Sequence, residues 1–358
     1  MKVFYSTNRR PTNDDEIFGE EPGAHVDLFR VGWCECAQID PGAFATLPAE
    51  IPDPKIQGPV TICDEAEAND PATTRTIFTR RGSKELFAEL RKELRPQNGV
   101  RTDALIYIPG FNHSFIDSIQ RAALLAQLYA SPSLRLAPLV FSWPSNGKMT
   151  LGDYRSDRRD AEISGGAMAR TYAALARQLQ ALRYELMAGG KDACGARVHL
   201  LAHSMGVYAL RHGVAKIVDP ANNIPIVQIF DTAILAAGDE HRDTLSVPHK
   251  LGRLNLLAER IEVYFNPKDK PVRIGDDFSD QFDRIGAYGP EDDDAARRIG
   301  VPVNIIDCSA ADALFTDPTR HQYYRVSRQV VEDIRAVLRG DATPLRKKSE
   351  DRPGTWAL

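Results

Sequence analysis

The sequence predicts a doubly wound α/β fold, in which helices flank a mostly parallel sheet on both faces. Three observations favour this fold. Short apolar, β-branched runs recur along the chain, and the later runs are almost continuously apolar, as in strands buried on both faces. Apolar residues at helical spacing lie between these runs from about residue 104 onward. Such alternation is typical of parallel strands joined by right-handed crossovers.

The elements follow from these patterns in chain order. Candidate strands are Val3–Ser6, Asp27–Ala37, Val60–Cys63, Ala104–Ile108, Leu139–Trp143, Val198–His203, Ile226–Ala236, Ile261–Phe265 and Val303–Cys308. Apolar stripes predict helices around Leu124–Leu128, Met168–Leu186 and Val326–Leu338. Because ligands of such sheets bind at the carboxyl ends of the strands, we expect the functional residues directly after each strand.

The chain of 358 residues supports one large domain, or at most two. We expect a single domain over residues 1–340, with N-terminal strands and an excursion in 1–100, the catalytic core in 101–340, and a polar tail in 341–358. A hydrophobic fraction of 43% and a charged fraction of 26% exclude disorder, collagen and coiled coil as the main class. The net charge of −4, with no basic stripe, argues against nucleic-acid binding.

The N-terminus has no apolar segment of the kind found in export signals, and no run of 18 apolar residues occurs. The five cysteines are odd in number and never form C-x-x-C, so we expect reduced thiols rather than a disulfide framework. These features predict a cytoplasmic protein without stable membrane association. They leave the oligomeric state open.

The strongest motif is the strand Val198–His203 running into Ser204-Met205-Gly206 and then a helical pattern. This context is that of a nucleophile elbow, in which small residues (here Ala202 and Gly206) allow strand and helix to approach closely. The helix N-terminus leaves N–H groups unpaired, so that of Met205 is a candidate oxyanion donor. The alternative is a helix-capping serine without catalytic function.

With its flanking segments, this motif resembles the α/β-hydrolase superfamily. Leu105–Phe115 is similar to the strand and oxyanion loop of these enzymes, and Phe141–Gly147 and Tyr5–Arg9 resemble an uncharacterised, mainly bacterial, esterase- or lipase-like subfamily of serine hydrolases. Many relatives have His-Gly at the oxyanion turn, where this chain has Pro109-Gly110. We therefore assign the second oxyanion N–H to Phe111, with Asn112 as the alternative. A purely structural turn is the competing interpretation.

The resemblance implies the chain order nucleophile, acid, histidine. His321 is the one histidine after the last predicted strand, and it is the predicted general base. The predicted acid is Asp269, which follows the strand Ile261–Phe265; Asp239, after the preceding strand, is the alternative, and Asp231 within that strand is a further competitor. His199 and His203 share a strand face, but a core position is favoured over a metal site for both.

The loops after the strands supply the predicted substrate-binding residues Asn112, Trp143 and Tyr208. Tyr154 and Asp157 match a recurrent pattern in relatives and either line the pocket or form structural hydrogen bonds. Residues 237–259 are about as long as one helix with its loops, so we expect no large cap domain.

The predicted function is hydrolysis of a carboxylic ester with a small or hydrophobic acyl group, through an acyl-enzyme and without metal or cofactor. The alternatives are an amidase or acyltransferase with the same triad, or a catalytically silent binding protein on this fold.

Overall fold

The structure, a computed structural model, describes residues 1–12, 16–23, 29–63, 76–79, 82–146, 151–187, 195–272, 283–311 and 317–358. For residues 76–79, 151 and 182–187 the backbone alone is described.

Within the described residues, twelve strands form one sheet in the order β13-β14-β12-β11-β10-β9-β7-β8-β1-β4-β5-β6, and β2 and β3 form a separate hairpin. The strands are β1 (Lys2–Thr7), β2 (Arg9–Pro11), β3 (Phe18–Pro22), β4 (Arg30–Cys36), β5 (Ile56–Cys63), β6 (Thr76–Thr79), β7 (Arg101–Ile108), β8 (Leu134–Ser142), β9 (Val198–His203), β10 (Thr232–Ala236), β11 (Ile261–Phe265), β12 (Val303–Asp307), β13 (Lys347–Lys348) and β14 (Trp356–Ala357). β1, β8, β7, β9, β10, β11 and β12 are adjacent and parallel, so their carboxyl ends share one edge.

The helices of the described residues are α1 (Gly82–Leu94), α2 (Phe115–Tyr129), α3 (Leu151–Ile163), α4 (Gly165–Met187), α5 (Met205–Val218), α6 (Ile285–Tyr288), α7 (Asp293–Arg297), α8 (Tyr323–Val326) and α9 (Arg328–Arg339). Local sequence sets several of their ends. α2 begins with a capping box between Ser114 and Asp117. α9 begins at the capping Ser327 and ends at Gly340, whose φ of +79° suits glycine.

The core lies on both faces of the sheet. On one face, apolar residues of α1, α4 and α5 pack against alternate residues of the central strands, such as Ile106 and Leu200. On the other face, α2, α8 and α9 pack against the intervening residues, such as Leu105 and Leu201. This arrangement confirms the predicted doubly wound α/β fold, and it explains why the central strands are apolar at nearly every position.

Most predicted strands are found within a few residues of their expected bounds, and Val198–His203 and Ile261–Phe265 match at both ends. Residues 27 and 28 of one predicted strand lie outside the described residues. The prediction of a strand over Ile226–Ala236 was too long, because β10 begins only at Thr232 and Ile226 is 48% exposed. The apolar residues before β10 approach the sheet without joining its ladder.

The polar C-terminal segment, expected to be a tail, instead extends the sheet. β14 pairs with β12, and β13 pairs with β14. The buried guanidinium of Arg346 donates hydrogen bonds to Asp333 of α9 and Glu262 of β11, and these contacts attach the segment. The charged Arg346 therefore binds carboxylates of the core, whereas Lys347 and Lys348 of β13 are exposed.

Residues 237–260, between β10 and β11, hold two short 3₁₀ helices, Arg242–Leu245 and Leu251–Leu256, and this segment contributes no cap domain. Among the described helices, none combines the length and apolar character needed to cross a bilayer. Cys34, Cys36, Cys63 and Cys308 are buried free thiols, and Cys194 lies outside the described residues.

Candidate active site

Ser204 stands at the turn from β9 to α5 in a strained conformation, with φ of 53° and ψ of −127°. Its N–H donates to the carbonyl of Ala236 at 3.0 Å, and its carbonyl accepts from the N–H groups of Val207 and Asp239, both at 3.0 Å. Two of these bonds attach the turn to the end of β10 and the residues after it, and the third closes the start of α5. A positive φ is uncommon for a residue with a side chain, and it is the geometry expected of a nucleophile elbow.

Close packing against the backbone after β7 requires glycine at position 206. A Cβ there would lie 2.4 Å from the carbonyl oxygen of Ile108 and 2.5 Å from that of Pro109. The first turn of α5 thus packs directly on the backbone that leaves β7. Any side chain at Gly206 would separate the serine from the loop predicted to provide the second oxyanion donor.

That loop, residues 109–114, is called the oxyanion loop below. A Cβ at Gly110 would lie 2.8 Å from the Cβ of Ser204, so the loop backbone packs against the serine. The N–H of Asn112 donates to Ser145 Oγ at 2.9 Å. Among the described residues, by contrast, none accepts a hydrogen bond from the N–H of Phe111 or of Met205. Phe111, rather than its alternative Asn112, therefore has the available backbone donor in this loop.

His321 and Asp269 come together from two different loops. Asp269 follows β11, His321 follows β12, and His321 Nδ1 lies 2.8 Å from Asp269 Oδ2. The other carboxylate oxygen of Asp269 accepts the N–H of Val272 at 3.1 Å. Asp269 is fully buried, whereas His321 is 8% exposed. A buried carboxylate bound to Nδ1 fixes the imidazole tautomer and orientation.

His203, the residue before Ser204, connects the serine turn to the histidine loop. Its Nε2 lies 3.3 Å from the carbonyl oxygen of His321, and the two imidazole rings have centroids 4.6 Å apart. The ring of Tyr324 also packs against that of His203, with centroids 4.4 Å apart. Among the described residues, no hydrogen bond joins the Ser204 hydroxyl to the His321 imidazole.

The competing acids have other partners. Asp239 Oδ2 accepts a hydrogen bond from the Tyr154 hydroxyl at 2.7 Å, and its Oδ1 lies 3.5 Å from Arg158 and 3.3 Å from Arg284. Asp231 Oδ2 accepts the N–H of Val198, the first residue of β9, so Asp231 lies at the opposite end of this strand from Ser204. Of the three candidates, Asp269 is therefore the one bound to His321.

Trp143 does not lie where we expected a pocket wall. Its side chain is fully buried and its indole N–H donates to the carbonyl of Pro109 at 2.8 Å, so it supports the oxyanion loop from beneath. Tyr208 is half-buried, with the guanidinium of Arg158 3.8 Å from its ring centroid. Tyr154 packs edge-on to Phe111, with centroids 5.8 Å apart. Phe111, Tyr154 and Tyr208 give this region an aromatic character.

Comparison with known proteins places these features in a family. The model of a family described as an alpha/beta hydrolase of unknown function (DUF900) matches residues 83–339. The chain belongs to this family. A search of curated proteins gave no match to it. The strand–serine–helix turn, the oxyanion loop and the Asp269–His321 pair all lie within the matched residues of this α/β hydrolase.

The electrostatics of the hydrolase site favour a positively charged His321. Burial alone lowers the pKa of His321, but the carboxylates of Asp269, Asp317 and Asp239 raise the pKa above its usual value. Burial raises the pKa of Asp269, and the bound imidazole opposes that shift. His203 differs from His321, because burial and the neighbouring His321 hold the pKa of His203 well below its usual value. Of these two rings, that of His321 therefore takes up a proton more readily.

Other predicted residues have structural positions. His199 Nε2 lies 3.4 Å from Asp103 Oδ2 in the buried centre of the sheet, consistent with a core histidine. Among the described residues, no three His, Cys, Asp or Glu side chains are grouped as metal ligands would be.

The buried side chains of Arg9 and Ser145, which hold the oxyanion loop, were not among the residues predicted from the sequence. The signal was present, since both belong to segments, Tyr5–Arg9 and Phe141–Gly147, that resemble the hydrolase family. Nothing in either segment indicates that they meet.

Proposed function

We propose that this α/β hydrolase is a serine hydrolase of carboxylic esters, with Ser204 as nucleophile, His321 as general base and Asp269 as the acid that orients His321. The observation that carries the proposal is the buried Asp269–His321 pair, with 2.8 Å between Oδ2 and Nδ1, at the sheet edge where Ser204 occupies a strained turn. Each of these features is common alone. Their combination is typical of acyl-transfer enzymes.

In the proposed reaction, Ser204 Oγ attacks the ester carbonyl while His321 Nε2 takes the hydroxyl proton. The N–H groups of Met205 and Phe111 stabilise the tetrahedral oxyanion. His321 then donates the proton to the leaving alcohol, which gives an acyl-enzyme. Water, deprotonated by His321, attacks the acyl carbonyl, and the carboxylic acid leaves with Ser204 restored.

Two features of the site support an ester with an apolar acyl group. Phe111 and Tyr154 pack against each other beside the serine turn, and Tyr208 lies on the first turn of α5. Aromatic side chains favour apolar ligand groups. The half-buried Phe111 also places an apolar ring directly beside its own backbone donor.

A panel of p-nitrophenyl esters with acyl chains of increasing length tests the proposal. We expect turnover by the wild-type protein, a loss of nearly all turnover in Ser204→Ala and His321→Ala, and unchanged far-ultraviolet circular dichroism in both variants. Turnover that survives Ser204→Ala would refute the proposed nucleophile. Cleavage of matched anilides but not esters would favour an amidase with the same residues, and ligand binding without turnover would favour a silent binding protein.

A further inference from the structure

Three segments that the proposed reaction leaves without a role meet behind the oxyanion loop. They are the start of β2 with Arg9, the residues after β8 with Ser145, and the middle of α3 with Asp157. All three side chains are buried, with exposures of 2% or less. Since two of them are charged, their burial is unfavourable unless the charges are matched by close polar partners.

Ser145 makes the central contacts. Its Oγ donates to Asp157 Oδ2 at 2.6 Å and accepts the N–H groups of Asn112 at 2.9 Å and His113 at 3.4 Å. A carboxylate has no proton to donate, so Asp157 fixes the direction of the Ser145 hydroxyl proton. The lone pairs of this oxygen are thereby left for the two loop amides.

Arg9 holds the same loop from its carbonyl side. Its Nη2 donates to the carbonyl of His113 at 2.6 Å, and its Nη1 donates to the carbonyl of Ser145 at 3.3 Å. Its Nε donates to Ser142 Oγ at 3.0 Å. Burial lowers the pKa of Arg9 to about 10, which leaves the guanidinium charged at neutral pH. The hydrogen bonds of a charged donor are stronger than those of a neutral one.

These contacts engage the N–H groups of Asn112 and His113 but not that of Phe111. Asn112 has a φ of +63°, so the chain turns sharply there, and both amides from that point engage Ser145. The preceding N–H, that of Phe111, remains for the oxyanion. A shift of the Asn112–His113 backbone would move Phe111 and with it the donor.

We propose that Arg9, Ser145 and Asp157 form a positioning network that sets the rate of the reaction by holding the oxyanion loop against Ser204, without contacting substrate. The inference rests on the proposed function for its kinetic part. Its structural part, the anchoring of the loop, stands on the hydrogen bonds alone. These three residues are called the network.

The kinetic test uses Ser145→Ala, which removes one buried oxygen, with Asp157→Asn as the second variant. The matched control is Asp160→Asn, the same change three residues later on α3, where the described residues give no hydrogen bond to Ser145 or to the loop. Because a displacement of about 1 Å at a reacting group costs up to about a hundredfold in rate, we expect kcat to fall about 10- to 100-fold in both network variants. KM should change little, since substrate does not contact the network.

A transition-state analogue separates loop positioning from general damage. An aryl trifluoromethyl ketone adds to the serine and places an oxyanion against the same two N–H groups, so its inhibition constant should rise by the same factor as kcat falls. Asp160→Asn should retain the wild-type kcat and inhibition constant. A folded Ser145→Ala with wild-type kcat and inhibition constant, a rise in KM alone, or an equal loss in Asp160→Asn would each overturn the proposal.

Hydrogen–deuterium exchange of the peptide spanning residues 109–115 provides a readout that needs no activity. Loss of the Ser145 oxygen should speed exchange in this peptide, and Asp160→Asn should not. Unchanged exchange in Ser145→Ala and Asp157→Asn would overturn the anchoring. If the wild-type protein hydrolyses no ester but exchange still rises in both network variants, the anchoring stands and the proposed function fails.

Discussion

Asp239 and Asp269 follow neighbouring parallel strands, β10 and β11, and both are buried, yet they belong to different environments. Asp269 binds His321, a group that gains and loses a proton near neutral pH. Asp239 binds Tyr154 and lies near the guanidinium groups of Arg158 and Arg284. The comparison shows that position after a strand does not determine which aspartate binds His321. The loop that carries His321 determines it.

The largest expected effect is on turnover in Asp269→Asn. The variant leaves His321 without the carboxylate that fixes its tautomer, so kcat should fall by about 10⁴-fold. Steady-state kinetics with the best p-nitrophenyl ester measures this fall. Asp239→Asn is the comparison, and a greater loss of kcat in Asp239→Asn than in Asp269→Asn would reverse the assignment of the acid.

Asp239→Asn should instead affect stability. The Asp239 carboxylate lies within 3.5 Å of Arg158 and of the fully buried Arg284. Its removal deprives both guanidinium groups of a nearby negative charge. Breaking a buried ion pair from one side costs about 3–5 kcal/mol, which urea unfolding can measure. The control is Asp243→Asn, which breaks the more exposed pair with Lys250 and should cost less than about 1 kcal/mol. Equal costs for the two variants would contradict this account of Asp239.

Tyr154→Phe removes one hydrogen bond from the same cluster and leaves its charges in place. A hydrogen bond to a charged group contributes about 1.5–3 kcal/mol, so this variant should be less destabilised than Asp239→Asn. The double variant should lose less stability than the sum of the two single variants, because the Tyr154 hydroxyl has no carboxylate to bind once Asp239 is replaced. Additive costs would show that the two side chains act independently.

The smallest expected effect is on the pH profile. The proposed mechanism needs neutral His321, and the pKa of His321 is raised, so activity should fall as the pH drops through a midpoint above about 6.5, the usual value for histidine. Asp239 is one of the charges that raise this pKa, and Asp239→Asn should therefore move the midpoint slightly downward. A midpoint below the usual histidine value in the wild-type protein would contradict the raised pKa.

Much of the fold was predictable because it depends on local pattern. The bounds of β9 and β11 follow from apolar runs that end at His203 and Phe265. The position of Ser204 follows from the turn between such a run and a helix. The superfamily resemblance supplies a chain order, and from it the sequence predicted that Asp269 and His321, which are in contact in the structure, follow β11 and β12.

The rest depends on contacts between distant segments, which a local pattern does not contain. Tyr154 lies 85 residues before Asp239, its partner, and Arg9 lies 104 residues before His113. Trp143 was predicted to line the pocket because it follows a strand. Its side chain is instead buried, and its N–H donates to the carbonyl of Pro109, 34 residues away in the chain. Likewise, the charge-rich C-terminal segment joins the sheet because Arg346 has carboxylates from two other elements to bind.

Covalent labelling of Ser204 is the most direct measurement of the proposed chemistry. After treatment with an alkyl fluorophosphonate, intact-protein mass spectrometry of the wild-type protein should show one adduct, and peptide mapping should place it on Ser204. Ser204→Ala should remain unlabelled, and His321→Ala should react far more slowly. A well-folded wild-type protein that acquires no adduct, or one that is modified elsewhere with Ser204 untouched, would contradict the account.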